Sequence, residues 1–156
     1  MLTVQGDVRT LMTRLLNVQT HPHYYEHVVL DTLLDSKDFV FQRYHFTYTK
    51  NIGKWIPAFL VPNVLRVQND SSFDFIRGVI SFCIQPVGKP VYRVEGRVLC
   101  TASHPESVQV ESVQVEIILD SVVISVRGIP SWVHSRLRTF IMEQMVDDLR
   151  SMIMVD

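Results

Sequence analysis

The chain has 156 residues, 47% of them hydrophobic, and a formal net charge of −1. That length buries a core without disulfides or metals and suits one domain over 1–156. The near-balanced charge, with 15 Lys and Arg scattered along the chain, argues against nucleic acid as a partner, because a phosphate backbone calls for a basic excess.

Taken in order, Asp7 to Val18 places Val8, Leu11, Met12, Leu15 and Leu16 at amphipathic-helix spacing, with Asp7 as its cap. His21-Pro22 breaks that helix. His23 to Leu34 reads as a second helix, with Tyr24, His27, Val28, Leu30 and Leu34 as its inward positions. The polar run Asp35-Ser36-Lys37-Asp38 is a turn. From there the pattern becomes strand-like. Phe39 to Thr49 is dense in aromatic and β-branched residues, including Tyr44 and Phe46. Phe73 to Ile84 is expected as a second strand and Val91 to Ala102 as a third. The third alternates cleanly, with Tyr92, Val94, Gly96, Val98, Cys100 and Ala102 on one face. Val113, Val115, Ile117 and Leu119 mark a fourth strand, and Asp120-Ser121 turns into a fifth over Val122–Val126. Short connections between successive strands favour an antiparallel meander.

Gly128 to Asp156 reads as one long closing helix, started by Ile129-Pro130-Ser131 with proline in the first turn and serine as a cap. At 100° per residue, Val133, Leu137, Phe140 and Ile141 form one apolar stripe. Met142, Met145, Val146, Leu149, Met152 and Ile153 form a second, rotated by roughly a quarter to a third of a turn. The rotation aligns His134 and Arg138 with the second stripe, so two polar groups turn partly inward and Met142 onward faces something other than the sheet.

Motifs for chemistry are sparse. His23-Tyr24-Tyr25-Glu26-His27 fits the H-x-x-E-H pattern of inverted zinc peptidases, with His23 and His27 one helical turn apart. The chain is far shorter than those enzymes, and no local pattern singles out a third ligand. Solvated histidines beside an inward Tyr24 are the plainer reading, and no metal site is assigned. There is no G-x-S-x-G elbow and no glycine-rich phosphate loop. Cys83 sits mid-strand among apolar neighbours, where a thiol is inert. If the strands pair across Gln85–Pro90, Cys83 lies opposite about position 92, far from Cys100. Two reduced, buried thiols follow, as in an intracellular protein. In the same register Gly78 and Gly96 face each other within strands and mark a bend. Glu106–Val110 is repeated exactly by Glu111–Val115, and a five-residue offset needs a bulge to keep its valines on one face.

Ile52 to Val67 is unusual. Pro57 and Pro62 rule out a regular central strand or helix, yet Trp55, Ile56, Phe59 and Leu60 are too apolar for a solvated loop. They read as a lid or membrane contact over a cavity, or as an edge packed on the core. The first residues lack a signal peptide's basic and apolar regions, and no stretch spans a membrane. The expected location is intracellular and cytoplasmic, with peripheral membrane association an option.

Helices, a meander of about five strands and a long C-terminal helix, in that order, resemble the helix-grip fold of the START-like superfamily. The resemblance covers most of the chain in element order, without a signature motif. It departs at the start, where that fold has a strand and Met1–Gly6 is very short for one. The fold expected is therefore α+β: two N-terminal helices, a curved antiparallel sheet, and the last helix packed across it. The resemblance implies a hydrophobic-ligand or lipid site between sheet and helix. Members range from lipid carriers to cyclases, so the fold alone does not settle catalysis. The reading leans to a non-enzymatic binding or transport protein without a cofactor. Its ligand-binding residues would be Tyr44, Phe46, Phe82, Tyr92, Met142 and Met145, with His134 and Arg138 at a polar head group. The rival is a structural or interaction protein, a homo-oligomer or part of a larger assembly, using Met142–Met154 and the 52–62 segment as interfaces.

Overall fold

A computed structural model describes residues 2–17, 29–48, 65–88, 91–103 and 111–154. The described elements run β1 (Leu2–Gln5), α1 (Val8–Leu16), β2 (Val29–Ser36), β3 (Phe39–Tyr48), β4 (Leu65–Asp74), β5 (Val79–Pro86), β6 (Tyr92–Ser103), β7 (Ser112–Ile124) and α2 (Ser131–Ile153). The strands form one antiparallel seven-stranded sheet in the order β1-β7-β6-β5-β4-β3-β2. This is the expected α+β, helix-grip-like architecture: a meander from β2 to β7, closed at one edge by β1, with the last helix against its inner face.

Alternation builds that face. Val94, Gly96, Val98 and Cys100 of β6 are buried between exposed or half-buried neighbours, as are Val113 and Val115 of β7. Leu11, Met12 and Leu15 of α1 join the same core. Asp7 caps α1 as expected, its Oδ1 accepting from the Thr10 amide at 2.7 Å. Arg14 then ties α1 to the end of α2 by donating to the Ile153 carbonyl.

The structure differs from the sequence expectations at several points. The segment expected as a second helix, 23–34, is strand from Val29 onward; β2 pairs with β3 from Val29↔Tyr44 to Ser36↔Phe39. Short apolar runs fit either period, and the ladder offered by β3 decides for strand; 23–28 lies outside the described residues. Phe73–Ile84 is not one strand. It is the end of β4, a turn at 75–78 and most of β5. Asp74 Oδ1 accepts from the Ile76 and Arg77 amides at 3.1 Å each. Gly78, at φ +69°, closes the turn, and a Cβ there would lie 2.3 Å from the Cys100 carbonyl oxygen. The β5–β6 register pairs Cys83 with Glu95 and Phe82 with Gly96, which moves Gly78 away from Gly96. The expected fourth and fifth strands are one, β7, carrying a bulge where a turn was expected. Leu2–Gln5 does supply an opening strand, so that departure from the helix-grip order disappears. Of the tandem repeat, the second copy opens β7 with Val113 and Val115 both buried; 104–110 lies outside the described residues.

α2 spans about 35 Å. Pro130, not Ser131, takes its cap position, and no side chain caps it. Its buried residues, Val133, Leu137, Ile141, Met145, Asp148 and Met152, recur every three or four positions, and Ile153 is buried beside the last of them. They form a single stripe facing the sheet, so the helix does not change face at Met142.

Candidate functional site

The inner face of the sheet is apolar over β6 and β7 but not over β3 and β4. Gln42, Tyr44, Asn69 and Ser71 are all buried there. The register sets Tyr44 opposite Asn69 and Gln42 opposite Ser71. The Ser71 hydroxyl donates to Asn69 Oδ1 at 2.6 Å, and Asn69 Nδ2 donates to the Tyr44 hydroxyl oxygen at 2.9 Å. From the helix side, Asp148 is only 4% exposed. Its Oδ1 accepts from Gln144 Nε2, one turn earlier, at 2.9 Å.

Tyr44, Asn69, Ser71 and Asp148 border a cavity between sheet and helix. Leu15 of α1, Tyr44 of β3, Asn69, Ser71 and Phe73 of β4, and Ile80, Phe82 and Ile84 of β5 form part of its lining. Val98 of β6 and Met145, Asp148, Leu149 and Met152 of α2 complete the described part. The space is small, a cavity of about 40 Å³, room for roughly three waters. Mostly apolar walls with a few convergent polar groups are the usual build of a small-molecule site.

Electrostatics keep the phenols neutral. Burial pushes the Tyr44 hydroxyl well above the usual phenol range; the Asn69 hydrogen bond opposes this and the nearby Asp148 charge adds to it. Tyr92 is pushed up in the same way, by burial first and Asp148 second. Both are hydrogen-bonding groups rather than phenolate bases at any ordinary pH. Neither thiol is activated. Burial raises Cys100 to about 11. Cys83, against expectation, is half-buried on the outer face beside Arg93 and Glu95, and desolvation raises it too. The two are free thiols.

Of the residues expected at a ligand site, Tyr44, Phe82 and Met145 come together at the cavity. Phe46 is buried in the core, with its ring centroid 6.1 Å from that of Tyr44. Tyr92 and Met142 are half-buried against the core. His134 is half-buried, with Nε2 3.5 Å from the Ile124 carbonyl oxygen, and Arg138 is exposed. Neither belongs to the described cavity wall. Arg138 turns outward because the inward stripe runs through Leu137 and Ile141. Met145 and Met152, expected in a subunit interface, are buried within the chain. His23 and His27, and the lid residues Trp55, Ile56, Phe59 and Leu60, lie outside the described residues. Among the described residues no cluster of His, Cys, Asp or Glu is arranged to hold a metal, and no helix is long and apolar enough to cross a membrane.

Asn69, Ser71 and Asp148 escape a sequence reading for different reasons. Asn69-Asp70-Ser71-Ser72 has loop composition, although β4 runs through it. Asp148 did leave a signal. It falls on the three-and-four spacing of Ile141, Met145 and Met152, where a core helix carries an apolar residue.

No family model matches the chain, and no curated protein matches it. Solved structures do. The Zhui aromatase/cyclase from Streptomyces sp. R1128 superposes with a TM-score of 0.63 at 14% identity, over 97% of this chain and 87% of that one. The protein TTHA0849 from Thermus thermophilus gives 0.61 at 7% identity, over 97% and 90%. At such identities the likeness is one of fold, and it places this chain's architecture with helix-grip proteins that include an aromatase/cyclase.

Proposed function

We propose that this chain binds a small, largely apolar molecule carrying one hydrogen-bonding group, in the cavity between β3–β6 and α2. The observation that carries this reading is the polar chain Ser71–Asn69–Tyr44, with Asp148 across from it, at a void that apolar residues otherwise line. Buried polar groups cost stability against a well-packed apolar core unless each is satisfied. A domain that keeps three of them on two adjacent strands and a fourth on the facing helix, around a void, retains features a purely structural core would lose. Tyr44 stays protonated, and its hydroxyl belongs to the polar cluster that a ligand's hydrogen-bonding group would meet. The apolar walls supply affinity and the polar cluster supplies orientation. His134 and Arg138 take no part, because they stand outside the described wall. The fold shared with an aromatase/cyclase supports a binding cavity at this place and leaves the chemistry open. Binding, rather than a reaction, fits two thiols that burial makes less reactive.

Native mass spectrometry of protein purified from cells tests the reading. A small-molecule adduct that mild activation removes is expected. Tyr44→Phe should lower its occupancy by about two- to tenfold, the worth of one neutral hydrogen bond. A mass equal to the bare chain under every gentle condition sinks the proposal.

A further inference from the structure

The floor of the cavity has a feature that simple packing does not call for. Phe82 is buried on the inner face of β5 and lines the cavity. Its partner across the β5–β6 ladder is Gly96. A Cβ built on Gly96 would stand 2.5 Å from Phe82 Cζ, 3.1 Å from Cε2 and 2.6 Å from the Ile118 carbonyl oxygen. The edge of the ring therefore rests directly on the Gly96 backbone. A larger residue at 96 would press on the ring from the sheet side and on the Ile118 carbonyl of β7 as well.

The sheet is also bent at this point. Glu95 pairs with Ser121, but Gly96 pairs with Leu119, so Asp120 is an extra residue in β7. Such a bulge bends its strand and increases the local twist. Arg97, next to Gly96, grips both carboxylate oxygens of Asp120, with Nε at 3.0 Å and Nη2 at 2.9 Å. On the inner side, Phe82 lies between Ser71 of β4 and Gly96 of β6 in the register, hence between the polar cluster and the apolar wall. Met145 and Met152 line the cavity from the helix, and both are flexible side chains that re-pack readily. The rigid boundary is thus the ring, and the adaptable one is the roof.

We infer that Phe82, seated on Gly96, sets the length of the molecule the cavity accepts, which makes the pair its specificity determinant. This rests on the cavity-binding reading above. Straight-chain alcohols from methanol to octanol, followed by thermal shift and titration calorimetry, separate the two claims. For the unaltered chain, Kd should fall about fourfold per added methylene until the alcohol outgrows the floor. Phe82→Ala should move that cut-off to longer alcohols. Gly96→Ala, which pushes the ring toward the cavity and also presses on the Ile118 carbonyl, should move it to shorter ones. A ring that merely packs would lower the melting temperature in these variants and leave the cut-off where it was. An unchanged cut-off in both single variants overturns the inference alone. If no alcohol binds the unaltered chain, the binding reading falls and the inference with it. Phe82→Leu, the milder change, carries the same expectation as Phe82→Ala should either single variant fail to fold.

Discussion

The two halves of the inner face solve different problems. Over β6 and β7 the sheet offers Val94, Val98, Val113 and Val115, and they share a core with α1 residues Leu11, Met12 and Leu15. Over β3 and β4 it sets Gln42, Tyr44, Asn69 and Ser71 among Val40, Phe46, Val67 and Phe73, with Asp148 descending from α2 and a void beside Tyr44, Asn69 and Ser71. One half stabilises the chain by dispersion and burial. The other keeps hydrogen-bonding groups that yield little net stability even when satisfied. A fold that held itself together equally well everywhere would not show this division. The polar half is where a ligand has something to recognise, and the apolar half is what allows the polar half to persist.

The contrast can be broken from either side. The largest effect should come from Met12, which is fully buried in the packed half. Met12→Ala is expected to cost about 2–5 kcal/mol, lowering Tm by roughly 2–4 °C for each kcal/mol. Denaturant titration checks it, and a loss under about 1 kcal/mol would mean that this half is not packed as described. On the polar side, Ser71→Ala leaves Asn69 Oδ1 without the hydroxyl that now donates to it. Its stability cost should be smaller, about 1–3 kcal/mol, while ligand occupancy in native mass spectra should drop. A stability loss with unchanged occupancy would make the cluster structural only.

The smallest effect belongs to the Asp7 cap of α1. The Thr10 amide, then a side-chain contact with the same residue, holds the Asp7 carboxyl below its usual range. A lowered folded pKa gives stability that is present above the unfolded value and lost as pH falls through the folded one. Asp7→Ala should therefore melt lower than the unaltered chain at neutral pH, and the two should converge as pH falls below the usual carboxylate range. Parallel melting curves that keep their gap in acid would rule out the cap as its source.

Legibility followed periodicity. The span of α2, the alternation of β6 and the Asp7 cap could all be read, because each rests on local spacing or a local hydrogen bond. β2 and β4 could not. A few apolar residues near 29–36 fit a helix or a strand, and Asn69-Asp70-Ser71-Ser72 looks like a loop until β3 and β5 supply ladders on both sides. Tyr44, Phe82 and Met145 were anticipated at a cavity because large residues on an expected inner face have few other places to go. Asp148, Asn69 and Ser71 were not, because polar residues are assigned to solvent by default.

By itself, then, the sequence determined the class of fold, the closing helix and the apolar alternation of β6, all consequences of side-chain period and burial. Only the tertiary structure decided the register that seats Phe82 on Gly96, the outward turn of Arg138, and the meeting of Asp148 with the Tyr44–Asn69–Ser71 chain. The physical reason is that a one-residue shift in pairing reverses every side chain of a strand, so which polar groups meet is settled between strands and not along any one of them.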